Sequence, residues 1–251
     1  MARELGLKLR GAREVAIICA SAVGILAFVY LTPPIAGAEV YSWLRPIVEL
    51  DGDLPQYLWR FLVSAVCLGI FPATVAAAAG ERASGIGLAR PRRVLPVWGW
   101  LIVALVSLGV AIGGAYSPGT FGYYPYSRTL VSRIETGGPL VFVLHALLYL
   151  LLFYLPWELL FRGILVFPLL RLASAAPAGG LLALASLQAV PSALLHIGHP
   201  AVESFGAIAF GVAAGALSLH TGSIFPSLAL HAGIGIAQDL LIVLRLLGAL
   251  P

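Results

Sequence analysis

The sequence predicts an all-α fold: a polytopic transmembrane helical bundle of about seven spans, forming a single integral membrane domain over residues 1–251. Three observations carry that prediction. Hydrophobic residues make up 60% of the chain and charged residues 10%, where a soluble domain carries roughly 25% charged residues. Mean hydropathy is +0.98. The chain also divides into long apolar runs separated by short breaks rich in Gly, Pro and charge.

The elements follow in order. Residues 1–14 form a basic arm with Arg3, Lys8, Arg10 and Arg13. The first span, Val15 to Leu31, is closed by Pro33-Pro34. Residues 35–56 form a loop with Glu39, Glu49, Asp51 and Asp53 against Arg45, and Tyr41 and Trp43 are placed for the interface. The second span runs from Tyr57 to Ala79, and Arg60 near its start is expected to snorkel to the headgroups. Residues 81–93 are basic, and Leu95 to Ala115 is the third span. The loop 116–138 carries Tyr123-Tyr124-Pro125-Tyr126, which reads as an aromatic interface belt.

The fourth run, residues 139–170, exceeds the ~20 residues that cross a bilayer. It is a long tilted helix, or a span with an extra segment outside the hydrocarbon. Residues 174–180 are a turn by composition, and Leu181 to Leu195 is the fifth span. His196 to Pro200 is a break. Ala201 to Leu219 is the sixth span, with Gly211 and Gly215 at the spacing that lets helices approach closely. His220 to Ser223 is a turn, and Ile224 to Leu247 is the seventh span.

Several classes are disfavoured. The net charge of +4 lies in particular loops, so nucleic acid is not an expected partner. Cys19 and Cys67 fall inside apolar runs and read as buried small hydrophobes, which does not support a disulfide framework. The first run is as long as a span and lacks a clear small-residue cleavage site, so no cleavable signal peptide is expected. With the amino terminus inside, cytoplasmic segments hold nine Lys/Arg, counting Arg171, and outer loops hold three: Arg45, Arg128 and Arg133. The positive-inside rule therefore favours a cytoplasmic amino terminus.

Ionisable side chains inside the runs are costly, on the order of 2.5–3.5 kcal/mol each at the bilayer centre, and by default mark function. Glu158 and Arg162 are one helical turn apart and can pair. Pro156 predicts a kink just before them. The last three spans and their junctions add His196, His199, Glu203, His220, His231 and Asp239. If the turn between the fourth and fifth spans is centred on Pro177, Glu158 and His196 both stand nineteen residues, or roughly 28 Å, from it. A carboxylate beside an imidazole can activate a water. The same count leaves His231 only about 15 Å from its own turn, so bringing it to His196 requires tilted helices or a dip at 196–203. Asp239 lies eight residues after His231, roughly on the same face, and His145 reads as structural. Glu158, His196 and His231 would also suit zinc, yet no His-x-x-x-His signature is present, so the expectation is no cofactor, with zinc as the alternative.

The runs Trp157-Glu158-Leu159-Leu160-Phe161-Arg162-Gly163, Leu194-Leu195-His196, and Thr221 to Pro226 ahead of His231 resemble the CPBP family. These are the CAAX-protease and bacteriocin-processing (Abi) membrane enzymes, which include the Rce1-type prenyl proteases. The resemblance covers residues 139–240. It implies an intramembrane endopeptidase in which glutamate and histidine activate a water, and a later His with Asn stabilises the oxyanion. The family has long been described as metalloproteases, though its Rce1-like members look like glutamate proteases. Its motifs are Glu-Glu-x-x-x-Arg, Phe-x-x-x-His and His-x-x-x-Asn or Asp. The chain departs at Trp157, where the family has its general base, at Ser192 for the Phe, and at Gly235 for the Asn. A bacterial branch with Trp-Glu-x-x-x-Arg, a His-x-x-x-Pro-x-x-Glu segment and a late Asp is similar, and His196, Pro200, Glu203 and Asp239 fit it. Some of that branch resembles sortase-like enzymes that process carboxyl-terminal membrane anchors.

The resulting expectation is a protease acting on membrane-protein or lipid-anchored substrates in the bacterial inner (plasma) membrane. Glu158 or Glu203 is the base, with Glu203 the better candidate because no Arg lies one turn from it. His196 is the base's partner on the water, Arg162 orients Glu158, and His231 is the oxyanion donor; His199 and Asp239 are additional candidates. The rivals are a catalytically inactive scaffold or regulator of the same family, favoured by Trp157, and a small transporter with helices broken at Pro156 and Pro191.

Overall fold

The structure, a computed structural model, describes residues 2–44, 51–125, 127–170 and 179–251. Expectations on Arg45, Glu49, Tyr126, Arg171 and the turn at Pro177 lie outside the described residues, as do those on the side chains of Arg3, Lys8 and Arg10. All regular structure among the described residues is helical.

The basic arm and the first span form one helix, α1 (Ala2–Leu31). There follow α2 (Leu54–Ala78), α3 (Val97–Tyr116), the short α4 (Pro118–Tyr123), α5 (Arg128–Gly137) and α6 (Pro139–Ile164). The chain ends with α7 (Gly180–Leu194), α8 (Ala201–Thr221) and α9 (Phe225–Leu246). Proline occupies the first turn of α2, α4, α6 and α9, where its missing N–H costs nothing. Gly222, at φ +70°, closes α8 in the left-handed conformation that glycine adopts without strain.

Among the described residues, six segments are long and apolar enough to cross a membrane: Gly11–Leu31 of α1, and α2, α3, α6, α8 and α9. The expected fifth span corresponds to α7, a shorter apolar helix. Its roughly 15 residues rise about 22 Å, short of a ~30 Å hydrocarbon layer.

Pro156 does not simply kink α6. It lies between two π-helical stretches, Leu150–Tyr154 and Leu159–Ile164, whose wider turns accommodate its ring and missing donor. A third π stretch, Ala65–Ile70, lies in α2, and Gly69 within it lets α2 approach Pro156; an added Cβ would stand 3.2 Å from the Pro156 Cβ. Helix α6 ends at Ile164, and turns follow, so the fourth run is a span with an extra segment.

The core lies where α2, α6 and α9 meet, around Phe61, Leu68, Phe153, Trp157, Leu160 and Phe161, all buried. The Arg60 guanidinium lies over the Phe28 ring, 5.8 Å from the centroid, and Arg60 lines a cavity. Cys67 is buried as expected, but Cys19 is exposed on the apolar surface of α1. Helices α7 and α8 form a tight pair. Gly211 faces Ala189, Gly215 faces Ala185, and Gln188 Nε2 donates to the Gly211 carbonyl at 2.6 Å. Helix α3 packs along α9 and leaves Leu101 and Leu105 on the outer apolar surface.

Candidate active site

The α6–α9 contact carries the first polar cluster. Both Glu158 and Arg162 are fully buried. Arg162 Nε stands 3.5 Å from Glu158 Oε2, one helical turn away. Arg162 Nη1 donates to Ser192 Oγ at 3.2 Å, so the serine at the second-motif Phe position serves as an arginine acceptor from α7. The guanidinium also lies over the Phe210 ring at 5.4 Å. Glu158 Oε1 is 2.8 Å from His231 Nδ1, which turns Nε2 of that ring towards the cavity.

That pairing corrects the depth argument, which set Glu158 beside His196. The count assumed that α6 runs to a turn at Pro177. Helix α6 stops at Ile164, so Glu158 lies about 9 Å from its end. His231 lies a similar distance, about 9 Å, from the start of α9 at Phe225. Measured from the true helix ends, those two are the residues at matched depth.

The second cluster forms around the break between α7 and α8. His196 Nδ1 donates to the Ser192 carbonyl at 2.8 Å, which leaves Nε2 as an acceptor. That Nε2 stands 3.9 Å from Glu203 Oε1. Glu203, in the first turn of α8, accepts at Oε1 from the Tyr124 hydroxyl at 2.7 Å and pairs with His199 Nδ1 at 2.9 Å. Its Oε2 is buried and makes no hydrogen bond among the described residues. The Ser204 hydroxyl donates to the His196 carbonyl at 2.7 Å and pins the break.

Both clusters face a cavity of about 780 Å³. Arg162, His196, His199, Glu203, His231 and Asp239 line it, while Glu158 lies behind and reaches it through His231. Trp157 takes a wall position, 4% exposed, stacked on Phe153 at 5.7 Å and edge-on to His196 at 5.5 Å. Its Nε1 is buried without a hydrogen-bond partner among the described residues. A second hollow of about 850 Å³, bordered by Arg92, Arg93 and His220, contains none of the paired carboxylates and histidines just described.

Two features were not read from the sequence. Tyr124, grouped there with an interface belt, is buried and holds Glu203, and Tyr123 packs on His199 with ring centroids 4.7 Å apart. No spacing in the sequence connects that loop to Glu203. Asp239 is not paired with His231; it meets His145 Nε2 at 3.2 Å, and His145 Nδ1 meets the Tyr57 hydroxyl. The alternative expectation places zinc on Glu158, His196 and His231. The Glu158 carboxylate is committed to Arg162 and His231, and among the described residues no group of three or more His, Cys, Asp or Glu is arranged to hold a metal ion.

Comparison with known proteins gives one result. Residues 139–237 match the family model described as Type II CAAX prenyl endopeptidase Rce1-like. That match covers α6, α7, α8 and α9 as far as residue 237, which carry Glu158, Arg162, His196, His199, Glu203 and His231; Tyr124 and Asp239 lie outside it. No curated protein and no solved structure matches the chain.

Proposed function

We propose that the Rce1-like segment, residues 139–237, is an intramembrane endopeptidase that hydrolyses peptide bonds of membrane-associated proteins. A protease of the CAAX type is what the family implies; the mechanism and substrates are our reading. The observation that carries it is the facing pair His196 Nε2 and Glu203 Oε1, 3.9 Å apart. His196 Nε2 and the Glu203 carboxylate are both acceptors; Oε1 is held by Tyr124 and His199 and Oε2 is unpartnered among the described residues, so a water that donates to the imidazole and to the carboxylate fits between them. Its lone pair is then free to attack a carbonyl carbon.

The steps balance as a hydrolysis. Water oxygen bonds to the carbonyl carbon as Glu203 takes a proton. The tetrahedral oxyanion collapses, the C–N bond breaks, and the leaving nitrogen receives the proton from Glu203. Arg162 holds Glu158, and Glu158 holds the His231 ring; in its doubly protonated form, His231 donates Nε2–H to the oxyanion. His199 and Tyr124 position Glu203. No metal takes part in this scheme.

The cavity rim supports a substrate that arrives from the bilayer. Val106, Val110 and Val202 line the cavity and are 45%, 50% and 69% exposed on the apolar surface. Membrane-protein and lipid-anchored chains fit that entry. We place the chain in a bacterial plasma membrane with its amino terminus in the cytoplasm, on the charge bias of the loops.

The test is reconstitution of the purified chain in liposomes with a panel of membrane-anchored and prenylated CAAX peptides. Mass spectrometry in H₂¹⁸O, with and without chelator, should show one new carboxylate carrying ¹⁸O in both conditions. Binding of peptides without any cleavage would favour the inactive scaffold that Trp157 suggests.

A further inference from the structure

We propose that the Tyr154 hydroxyl is an oxyanion donor of this site, held in place by the absence of a side chain at Gly235. The proposal rests on the hydrolase reading above. An acyl-transfer site needs donors aimed at the oxygen that gains charge, already in place before the reaction. His231 meets that need only when doubly protonated. With Nδ1–H on Glu158, its neutral form presents an acceptor at Nε2. A tyrosine hydroxyl donates whichever form His231 takes.

The geometry puts Tyr154 beside His231. Tyr154 lies one turn before Glu158 on α6, is 4% exposed and lines the cavity. Its ring meets the His231 ring edge-on, with centroids 4.9 Å apart. Gly235 is one turn after His231 on α9, so both lie on the same helix face. A Cβ on Gly235 would fall onto the Tyr154 hydroxyl oxygen, far closer than non-bonded atoms approach. Gly235 has a helical conformation, so backbone freedom is not what glycine provides there. What it provides is the volume that the phenol occupies. The hydroxyl thus lies against α9 one turn beyond His231, and Tyr154 lines the same cavity as His196 and Glu203. Donation to the oxyanion transfers no proton, and Tyr154 keeps its own throughout.

The experiment uses the liposome assay with whichever peptide the wild type cleaves. Tyr154→Phe keeps the ring and removes only the hydroxyl; kcat should fall roughly 10²-fold, as when one oxyanion donor is lost, with KM within about threefold. Binding of a phosphonamidate peptide, a tetrahedral mimic, should weaken in parallel with kcat/KM, while an uncleavable substrate analogue binds as before. Gly235→Ala should give the same signature by displacing the hydroxyl. Should Gly235→Ala fail to fold, Tyr154→Phe alone decides. Tyr154→Phe at wild-type kcat, or with substrate-analogue binding lost in step with activity, overturns the proposal and leaves the hydrolase reading intact. A wild type that cleaves nothing overturns both.

Discussion

Replacing Glu203 by Gln separates the proposed base from every other role that residue has. The carboxamide carbonyl can accept the same two contacts, from Tyr124 at 2.7 Å and His199 at 2.9 Å, so the shape of the break is kept. What disappears is the ability to take a proton. Losing a general base costs ~10²–10⁴ in rate, which is about 2.7–5.4 kcal/mol at ~1.36 kcal/mol per decade. The amide nitrogen would replace Oε2, which is buried without a partner among the described residues. An unsatisfied donor there costs about 1–3 kcal/mol of stability. The assay is therefore double: kcat and KM in liposomes, and the thermal midpoint in detergent. The expected result is a kcat loss of at least 10²-fold in protein that still unfolds cooperatively. Glu203 also stands in the first turn of α8, where a negative charge favours the helix N-terminus by ~0.3–1 kcal/mol. If Glu203→Gln lowers the midpoint but cleaves at the wild-type kcat, that helix-end role is its only one, and the water-activation scheme falls.

Three further outcomes are expected. Glu158→Leu or Arg162→Leu leaves a fully buried charge without its partner and should destabilise by about 3–5 kcal/mol, whereas the double substitution should recover most of that; additive losses would show that the pair is not coupled. Gly211→Ala sets a Cβ 2.7 Å from that of Ala189, so overpacking should cost ~1–3 kcal/mol and part the α7–α8 pair that carries His196 and Glu203; unchanged stability and kcat would refute this. In the loop before α2, partial burial pushes the Asp53 carboxyl up, but hydrogen bonds from Ser127, Thr129 and the backbone N–H of Arg128 and Thr129 outweigh it and hold it below its usual value. A depressed folded value adds stability above the unfolded value near ~3.9, which is lost as pH falls through the folded value. The thermal midpoint of the wild type should thus exceed that of Asp53→Asn at neutral pH, and the gap should close below about pH 4; a gap independent of pH would remove Asp53 from the linkage.

The spans were legible because a crossing helix needs a long uninterrupted apolar run, and such runs are visible in sequence. The second, third, sixth and seventh spans lie within about three residues of their expected ends. The fifth reads as a full span because Leu181 to Leu195 is uncharged and mostly apolar, although it is too short to cross upright. The types of the polar residues were equally visible, since Glu, Arg and His stand out against Leu and Ala. Their pairing was not. It depends on where α6 stops: Gly163 and Pro168 flank the end at Ile164 and are ordinary stop signals, but they lie in a run that otherwise continues apolar to Leu170, and π turns have no sequence mark of their own. Tyr124 and Tyr154 were hidden for another reason. Each is placed against a distant element, at Glu203 and at Gly235, and no periodicity links residues so far apart.

Substrate entry over the apolar rim of Val106, Val110 and Val202, as proposed above, would also change what a rate constant means for this protein. A substrate that enters sideways from the lipid never samples the aqueous volume. The quantity that saturates the enzyme is then its mole fraction in the membrane. Diluting a fixed amount of substrate and protein with more lipid slows the reaction, although every bulk concentration except that of lipid is unchanged. Adding buffer to the same vesicles leaves turnover per enzyme unaltered. Michaelis constants expressed per litre would vary with each preparation, and those expressed per lipid would agree.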